Sequence, residues 1–203
     1  LRARYPTEYP ADVYVEVGTV SFEEDGFGEL RGSELTLSSS FRPGSFEVDA
    51  GARYRDMIRA DNSLNPWISL RHFGEQYQIR LSWSERDVET LRARQLGIDS
   101  RGYDAQFVQR IGSWQGQASV SYRRYSDTNR RVNARGHISY RPRRWEHWGI
   151  GTELGYQDTT QQSNIYYTPE SLAFGRVQLF YQRRKRARWS LDARAGLGLA
   201  QDA

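Results

Sequence analysis

From Trp114 to Arg123 the chain alternates without a break. Trp114, Gly116, Ala118, Val120 and Tyr122 occupy one parity, and Gln115, Gln117, Ser119, Ser121 and Arg123 the other. A period of two marks an extended strand with two unlike faces. Residues 126–130, Ser-Asp-Thr-Asn-Arg, have the composition of a turn. The pattern then resumes with Val132, Ala134, Gly136, Ile138 and Tyr140 against Asn133, Arg135, His137, Ser139 and Arg141, so the two segments predict a hairpin. The same alternation recurs over 46–55, 77–84, 148–156 and 189–199, with weaker strands at 13–22, 33–41, 67–72, 103–110 and 172–182. The total is about eleven strands, each near the length that a tilted membrane-crossing strand needs. The chain reads as all-β, with residues 1–203 forming one domain.

A soluble β-sandwich would also alternate, and the placement of the aromatics separates the two. Phe41, Phe46, Tyr77, Trp114, Tyr140, Trp148, Tyr181 and Trp189 stand beside one set of connections. Tyr54, Trp83, Tyr103, Tyr122 and Tyr156 stand beside the other, with Gly, Ala, Val, Leu and Ile between. Two aromatic girdles flanking an apolar band describe an antiparallel transmembrane β-barrel, whereas a sandwich core places its large aromatics in mid-strand. Composition agrees: 37% of the 203 residues are hydrophobic and 27% charged, too polar for a thick dry core but suited to a wet interior. No run of eighteen apolar residues is present, so the chain offers no transmembrane helix. Cysteine is absent, which removes disulfides and thiolate metal sites and is compatible with an oxidising envelope compartment.

The connections alternate in length. Residues 42–45, 73–76, 111–113, 142–147 and 183–187 are short, while 23–32, 56–66, 85–102 and 158–171 are longer, with 126–130 the exception. Short periplasmic turns opposite longer outer loops fit a barrel of the bacterial outer membrane. An odd count of strands with no closing partner predicts a barrel that is incomplete here, the full one having around sixteen strands.

Catalytic chemistry is poorly supported. His72, His137 and His147 are scattered over strands and a turn, without the spacing of a metal centre or a nucleophile–base pair; they read as polar lumen and turn residues. Pairing Ser139 or Ser119 with His137 would place the pair on the inward parity, away from lipid. Glycine is plentiful, yet no phosphate-cradling motif appears. We expect no enzyme activity, metal or cofactor. Basic and aromatic residues interleave in 121–125, but strand parity splits them onto opposite faces, which argues against nucleic acid.

The inward parity carries Glu47, Asp49, Arg53, Arg55, Arg80, Asp104, Arg110, Arg123, Arg135, Glu153, Arg176, Asp192 and Arg194. For each residue taken alone, pairing across neighbouring strands is the simpler reading; together they imply a hydrated lumen. Phe174 and Phe180 share this parity with Arg176 and Gln178. They either offer ring faces to sugars or sit at a bulge that turns them outward. The short turns hold Arg143 and Arg144, and then Arg184, Lys185 and Arg186. Such runs are a solvated edge touching anionic lipid headgroups, or a docking surface for an acidic periplasmic partner. Net charge is +4 and Lys185 is the sole lysine.

The order of Asp87-Val88-Glu89-Thr90-Leu91-Arg92-Ala93, the turn segment 125–131 and Ile165-Tyr166-Tyr167-Thr168-Pro169-Glu170 resembles the C-terminal barrels of exopolysaccharide export porins. That family includes exporters of poly-N-acetylglucosamine, cellulose and the Pel polymer. The shared pieces are Leu91-Arg92-Ala93, 126–130 and 166–169, and the resemblance spans 87–203. It implies passive export of a biofilm exopolysaccharide, with a tetratricopeptide domain upstream that this chain does not contain. Excess inward arginine departs from what a cationic polymer would require. The competing expectation is an assembly barrel of a protein-secretion or lipoprotein-handling system, with a plugged lumen.

Overall fold

A computed structural model of the chain describes all residues except 1, 7–10, 25–27, 59–61, 89, 143, 145–146, 162, 164, 166–170, 186–188 and 203. Twelve strands follow one another in sequence order within one sheet, every neighbouring pair antiparallel. They are β1 (Arg2–Pro6), β2 (Ala11–Glu24), β3 (Gly28–Phe41), β4 (Phe46–Met57), β5 (Ser63–Phe73) and β6 (Tyr77–Asp87). After the short helix α1 (Leu91–Gln95) come β7 (Asp99–Ile111), β8 (Trp114–Tyr125), β9 (Arg130–Tyr140), β10 (Trp148–Thr159), β11 (Ser171–Lys185) and β12 (Trp189–Asp202). All eleven anticipated strands form, and Arg2–Pro6 pairs with β2 in addition. Among the described residues no ladder joins β1 to β12, so the wall stays open between those edges.

Parity works as the alternation predicts. Leu37, Ile68, Leu81, Val120, Ile138, Leu154 and Val177 are all exposed on one face. A continuous apolar sheet face of this extent belongs against lipid rather than water. At the short-turn end, ring contacts link Phe46, His72, Tyr77 and Phe107, and further along they pair Trp114 with Tyr140 and Trp148 with Tyr181. His72 therefore belongs to the outer aromatic belt, not to the lumen: it shares the parity of Ile68 and Leu70 and stands 4.6 Å from the Phe46 ring. At the other end Trp83, Tyr103 and Tyr122 are register partners on three successive strands.

Three connections differ from expectation. The segments 23–32, 56–66 and 158–171 read as loops, yet β2, β3, β4, β5 and β10 extend into them. Backbone pairing carries these hairpins past the apolar band: β3 has 14 residues, whereas crossing takes roughly 9–11. Pro66 interrupts the alternation but sits inside β5, because the ladder to β6 begins only at Trp67 and leaves the proline side of the strand without a pairing requirement. The connection 85–102 departs as well, because it contains α1. Thr90 caps it, accepting from Ala93 N–H at 3.3 Å, and Gly97 ends the turn with φ +63°.

Candidate functional site

The inward face is organised in three tiers. At the long-loop end, the Asp87 carboxylate accepts from Arg55 Nη1 at 2.7 Å, Arg94 Nη1 at 3.1 Å and Asn65 Nδ2 at 3.1 Å. Arg55 also donates Nε to Glu34 at 2.7 Å, so β3, β4, β5, β6 and α1 meet at one charged knot. Burial lowers the pKa of the Arg94 guanidinium, and the nearby Asp87 charge works against that shift. Beside the knot Val88, Ala93, Ile98 and Tyr125 form a small apolar core, with Ile165 packed against it. Thr90 Oγ1 donates to Ile165 O at 2.8 Å. Helix α1 also approaches β2, which lies four strands from β6, so the sheet curls and the loop folds across its concave side.

The turn 126–129 is fastened to the same region. Asn129 is 2% exposed; its Nδ2 donates to Gln161 O at 2.8 Å, and its Oδ1 accepts from Gln161 N–H at 3.2 Å and Arg130 N–H at 2.8 Å. Val88, Thr90 and Ala93, the turn 126–129 and Ile165 thus converge at one end of the sheet; 166–170 lie outside the described residues.

In the middle tier Arg123 is buried, donating to Asp104 at 2.6 Å and to Ser84 Oγ at 2.9 Å, and Arg80 donates to Ser69 Oγ at 3.0 Å. Arg53 reaches Glu34 at 3.4 Å. Towards the short turns Glu47 is gripped by Arg42 and, at 2.8 Å, by Arg71. Asp49 shares the inward parity of Glu47 and Arg53, and Arg110 lies near the short-turn rim, exposed.

Strands β10 and β11 build the third tier. Their register is regular throughout, pairing Gly149 with Phe180, Gly151 with Gln178, Glu153 with Arg176 and Gly155 with Phe174. No bulge turns the two phenylalanines outward. Their rings lie over Gly149 and Gly155, where a Cβ would collide with them. Arg141 stands 5.1 Å from the Phe180 centroid and Arg135 5.8 Å from that of Phe174. Gln178 Nε2 and His137 Nε2 are 3.0 Å apart, and Arg176 bonds Glu153 at 2.9 and 2.5 Å. The result is a pair of glycines with two aromatic rings seated against them between hydrogen-bonding side chains.

Asp192 and Arg194 occupy register positions opposite Gln182 and Phe180, and their side chains lie outside the description. Arg143 and Arg186 lie outside the described residues altogether; Arg184 and Lys185 are placed by backbone alone, and Arg144 is exposed. No cluster of metal-ligating side chains occurs among the described residues. Sequence reasoning missed Glu34, Asn65 and Arg94, and named Asp87 and Asn129 only as parts of the resembling segments, without a role for their side chains. The available signal was the run Thr90-Leu91-Arg92-Ala93-Arg94-Gln95 followed by Gly97: an N-cap residue, good helix formers and a glycine stop.

No family model matches the chain, and no curated protein matches it. Solved structures do. A structure described as a bacterial polysaccharide outer membrane secretin shares 16% identity at a TM-score of 0.79, covering 99% of this chain and 70% of that one. The FrpB iron transporter from Neisseria meningitidis gives 11% and 0.66, over 96% of this chain and 41% of that one. A BenF-like porin from Pseudomonas fluorescens Pf-5 gives 7% and 0.64, over 98% and 62%. The chain therefore spans less than two thirds of the latter two. Likeness at such identities concerns the fold: this is the wall of a bacterial outer-membrane β-barrel, and that membrane is its location.

Proposed function

We propose that the chain is part of a non-enzymatic pore that exports a polysaccharide through a hydrated lumen. The observation that carries this reading is the pair of rings, Phe174 and Phe180, seated against Gly155 and Gly149 beside Gln178 and Arg176. Sugars present apolar ring faces and a rim of hydroxyls, so flat aromatics flanked by amide and guanidinium donors suit them better than they suit bare ions. The fold similarity to a protein described as a polysaccharide secretin supports the same reading. The short basic turns are proposed to face an acidic periplasmic partner or anionic headgroups.

An assembly barrel is the second reading, favoured by α1, which crosses the concave face as a plug would. Replacing both rings, Phe174→Ala with Phe180→Ala, in the full-length protein separates the two. Export predicts a several-fold fall in secreted polysaccharide with unchanged outer-membrane insertion. Unchanged secretion from a correctly inserted variant would remove the export reading and leave assembly.

A further inference from the structure

We infer that the transported polymer is polyanionic, a carboxylate-bearing glycan, and that it is gripped in a basic groove at mid-lumen between β6 and β10; this rests on the export reading above. The groove holds about 480 Å³ and is lined by Arg80, Arg86, Arg131 and Arg135, with Asp104 its sole acidic lining residue. Asp104 is already engaged by Arg123 at 2.6 Å, and Arg123 comes from outside the groove lining. Among the described residues, Arg80, Arg86 and Arg135 have no carboxylate within ion-pair distance: Arg80 donates to a serine hydroxyl and Arg135 lies over a phenylalanine ring. Elsewhere on this face the pattern is the reverse, because Glu34, Glu47, Asp87 and Glu153 are each matched to one or more arginines.

Arg80, Arg86 and Arg135 therefore leave positive charge over within this one groove. Like charges lining one water-filled groove reinforce each other's potential and draw in mobile anions. Guanidinium adds geometry, since its fork meets a carboxylate with two parallel hydrogen bonds. A second observation points to a ligand there. Gln157 lines the groove, and its Nε2 is buried without a hydrogen-bond partner, a donor available to a hydroxyl or carboxylate oxygen. Arg135 also connects the groove to Phe174, so one sugar could rest its ring on the aromatic while a neighbouring carboxylate takes the guanidinium. A cationic, deacetylated amino sugar polymer would meet repulsion at this point.

The test is block of single-channel current by the full-length protein in planar bilayers, using short oligogalacturonates, cello-oligosaccharides of matched length and fully deacetylated chito-oligosaccharides. The expected result is at least about tenfold tighter block by galacturonate than by the neutral sugar, weakening as salt is raised. Arg80→Gln, Arg86→Gln and Arg135→Gln together should abolish that preference, bringing block by galacturonate down to that by the neutral sugar, while the matching triple lysine variant keeps most of it. If the glutamine variant does not insert, the preference and salt dependence of the unaltered protein decide. Equal block by neutral and acidic sugars, or tighter block by the cationic one, overturns the polyanion and leaves export standing. No block by any sugar in a conducting pore overturns both.

Discussion

The Asn129 carboxamide closes a two-way clasp on the backbone of Gln161, donating to its carbonyl at 2.8 Å and accepting from its N–H at 3.2 Å. It thereby ties the β8–β9 turn to the segment leading into β11, 32 residues away in sequence. The same turn holds Thr128 at φ +74°, a region that β-branched residues avoid, and Thr128 N–H donates to Tyr125 O at 3.2 Å. The clasp and the strained residue are parts of one device, since strain persists only where surrounding bonds fix it.

Asn129→Ala removes both halves of the clasp, two side-chain-to-backbone hydrogen bonds, at a cost of about 1–3 kcal/mol to the local structure. Hydrogen exchange should rise in the turn and at residues 161–165 while the mid-barrel amides stay protected. Uniform protection across all of these segments in the variant would contradict the clasp.

Parity on the lipid side makes a second prediction. Ile138 is 54% exposed in the apolar band, whereas Ser121 accepts a hydrogen bond from Asn133 on the inward face. Arginine at Ile138 should cost about 2–4 kcal/mol and arginine at Ser121 far less. A refolding titration into lipid vesicles compares them directly, and equal costs would refute the face assignment.

Glycine and phenylalanine on β10 and β11 are coupled by shape. Gly155→Ala pushes a Cβ into the Phe174 ring, which should cost about 1–3 kcal/mol. With Phe174→Ala already present, the same change should be nearly silent. A double-mutant cycle that gives purely additive costs would mean the ring does not rest on the glycine.

These elements differ in how legible they are in sequence. Period two is a backbone property, so Trp114 to Tyr122 and Val132 to Tyr140 announce their strands and faces without help. Phe174 and Phe180 show parity but not their seats, because the glycines beneath them become partners only through a register set by the whole ladder. The Asp87 knot was hidden for another reason: Glu34, Arg55, Asn65 and Arg94 lie on four separate elements, and only curling of the sheet brings them together. His72 misled because a titratable residue at a strand end reads as polar, while its ring packs in an aromatic belt.

The Asp87 knot gives the sharpest test of whether α1 restricts the pore. Asp87, Arg94 and Arg55 have side chains only 7%, 10% and 13% exposed, and one carboxylate serves both guanidiniums. Asp87→Asn keeps the shape but removes the charge, leaving Arg55 to Glu34 and depriving Arg94 of its buried counterion. Breaking a buried pair from one side costs about 3–5 kcal/mol, more than the small apolar contact of Ala93 with Val88 and Ile98 can restore. The strands on either side remain laddered, so the loss should fall on the loop rather than the wall. Helix α1 should undock, raising single-channel conductance and admitting large antibiotics such as vancomycin into cells. Arg94→Ala should do less, because Asp87 then keeps Arg55 and Asn65. If Asp87→Asn inserts normally and both conductance and antibiotic entry stay at the unaltered level, α1 does not constrict the pore.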